Sequence, residues 1–200
     1  MKRTDALDAI VIAADRWQQR RLPIWEFSDD LDCILRLGLA TASVGVELSD
    51  GTCVRPGDTV GVIHLWNERM PEMPATGADV AWARTFLRLM RHSFRLMARH
   101  IVANRDLDEI QAFGGQLPLV YTPATLRYLR RLGIEVFDRV PPRGTVETVV
   151  DLALRIWTWL MRRAFNPGSV HNIAFGDLDR RPAWISRHTL IERYIKETIT

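Results

Sequence analysis

His64, Asn67 and Glu68 crowd the end of an apolar segment, and their types suit proton transfer. An imidazole changes charge near neutral pH, a carboxylate can act as a general base beside it, and an amide can orient a ligand. These three residues are therefore the candidate catalytic set. The same segment argues for a structural role. On a strand over Thr59 to Trp66, Val60, Val62, His64 and Trp66 share one face while Ile63 and Leu65 share the other, so the strand is central and His64 stands in an apolar row. No Gly-x-Ser-x-Gly elbow, His-Glu-x-x-His pair or phosphate-binding glycine loop adds to the catalytic case.

A second pattern is electrostatic. Arg84, Arg88, Arg91, Arg95 and Arg99 step by four, three, four and four residues. On a helix these steps confine them to a strip roughly 80° wide, with Trp82, Phe86, Leu89, Met90, Ser93 and Met97 opposite. Like charges at this spacing repel, which acidic residues elsewhere in the fold or an external anion would relieve. These five arginines are the candidate ligand-binding residues. Trp157 and Trp159, flanked by Arg162 and Arg163, carry the chemistry of a membrane-interface helix, though tryptophan also fills cores. Asp29, Asp30 and Asp32 with Glu26 form an acidic cluster without histidine partners. No metal and no cofactor is assigned.

Helices, strands and turns must position these groups. Thr4 caps a first helix over about Asp5 to Arg20; strand chemistry follows at Cys33 to Leu37, Val44 to Leu48 and Thr59 to Trp66. Asp50-Gly51 and Arg55-Pro56-Gly57-Asp58 are turn signals, and the three strands read as a β-meander. A capping box at Thr76 to Asp79 opens the longest helix, to about Ala103. Gly114-Gly115 reads as a turn before a short strand, Pro118 to Tyr121. Thr122 caps a helix ended by Gly133, Ile134 to Val140 is another strand, and Thr145 caps a helix to about Arg163. Ser186 caps the last helix, with Ile185 and Leu190 as its hydrophobic staple. The expected fold is a single α+β domain over residues 1–200, with a mostly antiparallel sheet packed against one long amphipathic helix and three or four others.

The stretch Val54 to Glu68, with Leu129 to Val136 and Trp184-Ile185-Ser186-Arg187, resembles the YkoP-type domain, a bacterial family. The resemblance covers nearly the whole chain. Some members are similar to segments fused to polysaccharide deacetylases or glycosyltransferases, so the resemblance implies an envelope-related setting and transfers no catalytic residue.

Composition is that of an ordinary folded chain: 200 residues, 47% hydrophobic, 26% charged and a net charge of +3. All but Lys2 and Lys196 of the 27 basic residues are arginine, a supply of planar forks suited to carboxylate or phosphate. Cys33 and Cys53 support neither a zinc knuckle nor a disulfide scaffold and read as buried, reduced thiols. The longest apolar run, Val149 to Met161, is interrupted by Asp151 and Arg155 and is too short to span a bilayer. The function expected is an accessory or binding domain in envelope glycan or lipid-carrier metabolism. It would recognise an anionic lipid or phosphorylated glycan carrier through arginines and have room for a partner enzyme. The alternatives are a small hydrolase or transferase built on His64 and Glu68 and, more weakly, a nucleic-acid binder. The expected location is the cytoplasm, or the periphery of the inner membrane.

Overall fold

The computed structural model describes residues 5–19, 23–139, 141–171 and 173–196. Its elements are α1 (Ala6–Gln19), β1 (Ile24–Trp25), β2 (Leu35–Thr41), β3 (Val46–Glu47), β4 (Cys53–Val54), β5 (Thr59–Leu65), α2 (Val80–Ala103), β6 (Ala112–Leu119), α3 (Pro123–Arg131), β7 (Glu135–Val136), α4 (Thr145–Phe165), β8 (Asp179–Ser186) and α5 (Arg187–Tyr194). The result is the expected α+β domain with a mostly antiparallel sheet. The six-stranded sheet runs β1-β2-β5-β6-β8-β7, and only β5 with β6 is parallel. A parallel pair needs a crossover, which α2 supplies between those two strands.

The expected meander is modified. β3 and β4 close on Asp50-Gly51 as a separate two-stranded sheet, and β2 pairs directly with β5. Gly114-Gly115 is no turn but lies inside β6. The reason is close packing: a Cβ on Gly114 would meet the Ala183 carbonyl oxygen at 2.3 Å, and one on Gly61 would meet the Phe113 ring at 2.0 Å. These glycines let neighbouring strands and a fully buried phenylalanine approach. Two caps also shift by a few residues. Asp79, not Thr76, caps α2 by accepting from the Trp82 amide at 2.7 Å, and Gly144 stands at the cap of α4 where Thr145 was expected. Thr122 and Ser186 cap α3 and α5 as expected. Thr4, Arg20 and Val140 lie outside the described residues.

The main core lies between the sheet and the helices α2 and α5. Ile34, Leu35 and Leu37 meet Leu89, Met90, Phe94, Met97 and Ile101 of α2, with Phe113, Ile185 and Leu190 completing it. A smaller cluster of Leu48, Val54, Val60 and Ala112 packs the β3–β4 hairpin on. One polar side chain sits within the main core. The buried Ser93 hydroxyl accepts from the Ile34 amide at 2.9 Å and donates to the Leu89 carbonyl at 2.8 Å, which ties α2 to the chain entering β2. Replacing Ser93 by alanine strands the buried Ile34 amide, and we expect a loss of about 1–3 kcal/mol in urea unfolding. An unchanged midpoint would show that the amide finds another partner.

Candidate functional sites

His64 lies on β5 directly opposite Arg36 of β2, on the sheet face away from the leucine row. Its ring extends over Gly38, whose Cβ would stand 3.5 Å from Nε2. Burial, then the like charge of Arg36, lowers the His64 pKa, so the ring is neutral at pH 7. Among the described residues the ring has no hydrogen-bond partner.

Asn67 and Glu68 follow β5 in a short 3-10 turn, and here α1 reaches the sheet. Buried Asp15 of α1 accepts a hydrogen bond from the Asn67 side chain. Its pKa is raised by burial first and by the Glu68 charge second. Glu68 turns to Arg16, 3.8 Å away. Arg36 pairs with Glu26 at 3.2 Å and lies over the Trp66 ring at 4.1 Å. Arg69 also stacks on Trp66, at 3.3 Å, and donates to the Asp30 carbonyl. The three residues singled out from the sequence thus share one end of β5, but Glu68 answers Arg16 and no direct His64–Glu68 contact forms. Asp15 and Arg36 went unnoticed in the sequence, because strand register and the docking of α1 bring them in.

All five arginines of the stripe are exposed on α2. Arg88 pairs with Asp32 at 2.7 Å, and Asp30 receives His92 at 2.8 Å, so the acidic loop covers one edge of the stripe. The His92 contact holds the Asp30 carboxyl below the usual range. Arg84, Arg91, Arg95 and Arg99 have no carboxylate partner among the described residues. Beside Arg91 stands Tyr128 of α3, whose hydroxyl is buried without a partner and whose pKa is pushed up by that burial. Arg127 and Arg131 flank Tyr128 around a depression of about 320 Å³, and neither has an ion pair among the described residues. Their link to the stripe was not read from the sequence, although the spacing of Arg127 and Arg131 placed both on one helical face.

Other arginines of the fold are used internally. Arg139 pairs with Asp151 at 2.7 Å, Arg163 with Asp5 at 3.0 Å, Arg181 with Asp179 at 2.8 Å and Arg187 with Asp108 at 3.0 Å. Arg162 turns inward to the carbonyls of Ser169 at 3.1 Å and Pro118 at 3.4 Å, while half-buried Trp159 packs edge-on against Phe175 and Trp157 is also half-buried. Of the two cysteines Cys33 is buried, whereas Cys53 is exposed, contrary to expectation; both are free thiols. Among the described residues no group of three His, Cys, Asp or Glu side chains is placed to hold a metal ion, and no helix is long and apolar enough to cross a membrane.

The family model described as the YkoP domain matches residues 43–194. The chain belongs to the YkoP domain family. No curated protein and no solved structure matches it. The matched part of this YkoP domain runs from the β3–β4 hairpin to the end of α5. It holds the arginines of α2 and α3 entirely, while Asp15 and Arg36 come from the chain before it.

Because His64 is held neutral in the fold, its depressed pKa makes the fold less stable in acid. The unfolded chain takes up the proton as pH falls through about 6.5, whereas the folded chain does so only lower, so this group costs stability as pH falls through and below about 6.5. Proton NMR of the imidazole should give a midpoint below 6.5 that rises in Arg36→Met as the like charge is removed. A midpoint at or above 6.5 would contradict the placement of the ring.

Proposed function

We propose that this YkoP domain is a noncatalytic, anion-binding module whose arginine face on α2 and α3 receives phosphate groups. The observation that carries the reading is the contrast in pairing. Arg139, Arg162, Arg163, Arg181 and Arg187 are matched with acids or carbonyls, whereas Arg84, Arg91, Arg95 and Arg99 stand exposed in one row on a single helix without an acid among the described residues. Like charges three and four residues apart repel by a few tenths of a kcal/mol per pair, and an external anion relieves that cost. Guanidinium forks match phosphate oxygens in bidentate geometry, and the row continues towards Arg127 and Arg131. The acid–base alternative has less support, since Glu68 is engaged by Arg16 and does not orient His64.

The envelope setting implied by the resemblance makes anionic lipid head groups and phosphorylated glycan carriers the ligands to test. Vesicles of phosphatidylglycerol in phosphatidylcholine should retain the protein at low salt and release it as ionic strength rises, while pure phosphatidylcholine should not retain it. The triple variant R91Q/R95Q/R99Q keeps helix-forming residues and leaves the Arg88–Asp32 pair in place. Near an anionic surface the loss of three charges should weaken binding on the order of 100-fold. No retention of the parent protein at low salt, or equal retention of the triple variant, would refute the reading.

A further inference from the structure

The fold already lays anions of its own on the arginine row. The loop of Asp29, Asp30, Leu31 and Asp32, which leads into β2, sets two carboxylates against α2. Asp32 accepts from the Arg88 guanidinium at 2.7 Å, and Asp30 meets His92 Nε2 at 2.8 Å. At about 100° per residue, Arg88 and His92 stand towards one side of the strip and Arg91 towards the other, where Tyr128 of α3 lies. The loop thus occupies one edge of the row, and Arg84, Arg91, Arg95 and Arg99 stay open.

The base of this loop is fixed by its backbone. The Asp30 carbonyl accepts from the Cys33 amide at 3.0 Å and from Arg69 at 2.6 Å, and the Asp32 amide donates to the Asp30 carboxylate at 2.8 Å. The tip is held differently. Leu31 is 81% exposed, so no apolar burial fastens it to the helix. The Arg88 and Asp32 side chains are 61% and 51% exposed, which makes their pair a weak, water-accessible one. Charge therefore keeps the Asp32 carboxylate on Arg88, and an outside anion can exchange with it.

We propose that the acidic loop is an internal competitor for the anion site of α2, with Asp32 occupying Arg88 until a phosphate-bearing ligand displaces it. The inference rests on the anion-binding reading of the row and adds the regulation of that site. A phosphate seated on Arg88 would stand against the Asp32 carboxylate, and two like charges at that range repel, so one of them leaves. A ligand of low charge then uses the open arginines alone. One dense enough in phosphate to move Asp32 gains Arg88 as well, so the loop favours polyanionic ligands over single charges.

Titration of the full chain with phosphatidylglycerol-containing vesicles, and separately with pyrophosphate, tests this at low salt. D32N keeps the side-chain shape and frees Arg88, and one more basic residue at an anionic surface should tighten binding about fivefold. Asp29 has no hydrogen bond or ion pair among the described residues, so D29N removes the same charge without freeing an arginine and should tighten binding far less. D32N/R88Q should lose the gain. A gain on vesicles alone assigns the row to a lipid surface, and one on pyrophosphate as well assigns it to free phosphate groups; either upholds the competition. Side-chain NMR of the parent protein reads the displacement without any variant: Arg95 should respond at lower pyrophosphate concentration than Arg88. Equal gains in D29N and D32N, or Arg88 moving together with Arg95, would overturn the proposal and leave the anion site itself standing. No binding by the parent protein or by any variant would overturn both.

Discussion

The packing of α2 against the leucine row of β2 is the contact from which the surface chemistry follows. Leu89, Met90, Phe94, Met97 and Ile101 enter the core beside Leu35 and Leu37, and the Ser93 hydroxyl holds the chain at Ile34. That seam fixes the rotation of the helix about its axis. With 3.6 residues per turn, the five arginines then have no choice but to face water. The same contact completes the sheet, because α2 is the crossover that lets β5 and β6 lie parallel.

Periodicity within one element is readable from sequence, and contacts between distant elements are not. The arginine stripe, the central strand around His64 and the caps at Thr122 and Ser186 all rest on short-range patterns, and each is found where it was expected. Asp15 and Arg36 join His64 and Asn67 only through the β2–β5 register and the docking of α1, which no local pattern encodes. Gly114 shows a different ambiguity, since a glycine that admits a neighbouring backbone looks the same in sequence as one that makes a turn. The α4 helix shows a third. Its amphipathic spacing was plain, but spacing says only that an apolar face exists and not which way it points.

The protein thus presents two surfaces of opposite character. One is a row of guanidinium groups on α2 that continues to Arg127 and Arg131 beside half-buried Tyr128. The other is the aliphatic face of α4, opposite Asp151, Arg155 and Arg162, which turn inward. At the end of β5 nearest α1 lie two ionisable groups, Asp15 and His64, whose pKa values are shifted by burial and by neighbouring charge. On this account the Asp15–Asn67 and Arg16–Glu68 contacts bind α1 to the end of β5, and His64 stands beside them without forming a reacting centre.

The most direct test of the central claim is a titration of the isotope-labelled protein with pyrophosphate, followed by NMR of the arginine side chains and backbone amides. The account predicts saturable shifts confined to α2 around Arg84, Arg91, Arg95 and Arg99 and to α3 around Arg127 and Arg131, reversed by salt. Shifts centred on His64 and Asp15, or none at all on α2, would contradict it.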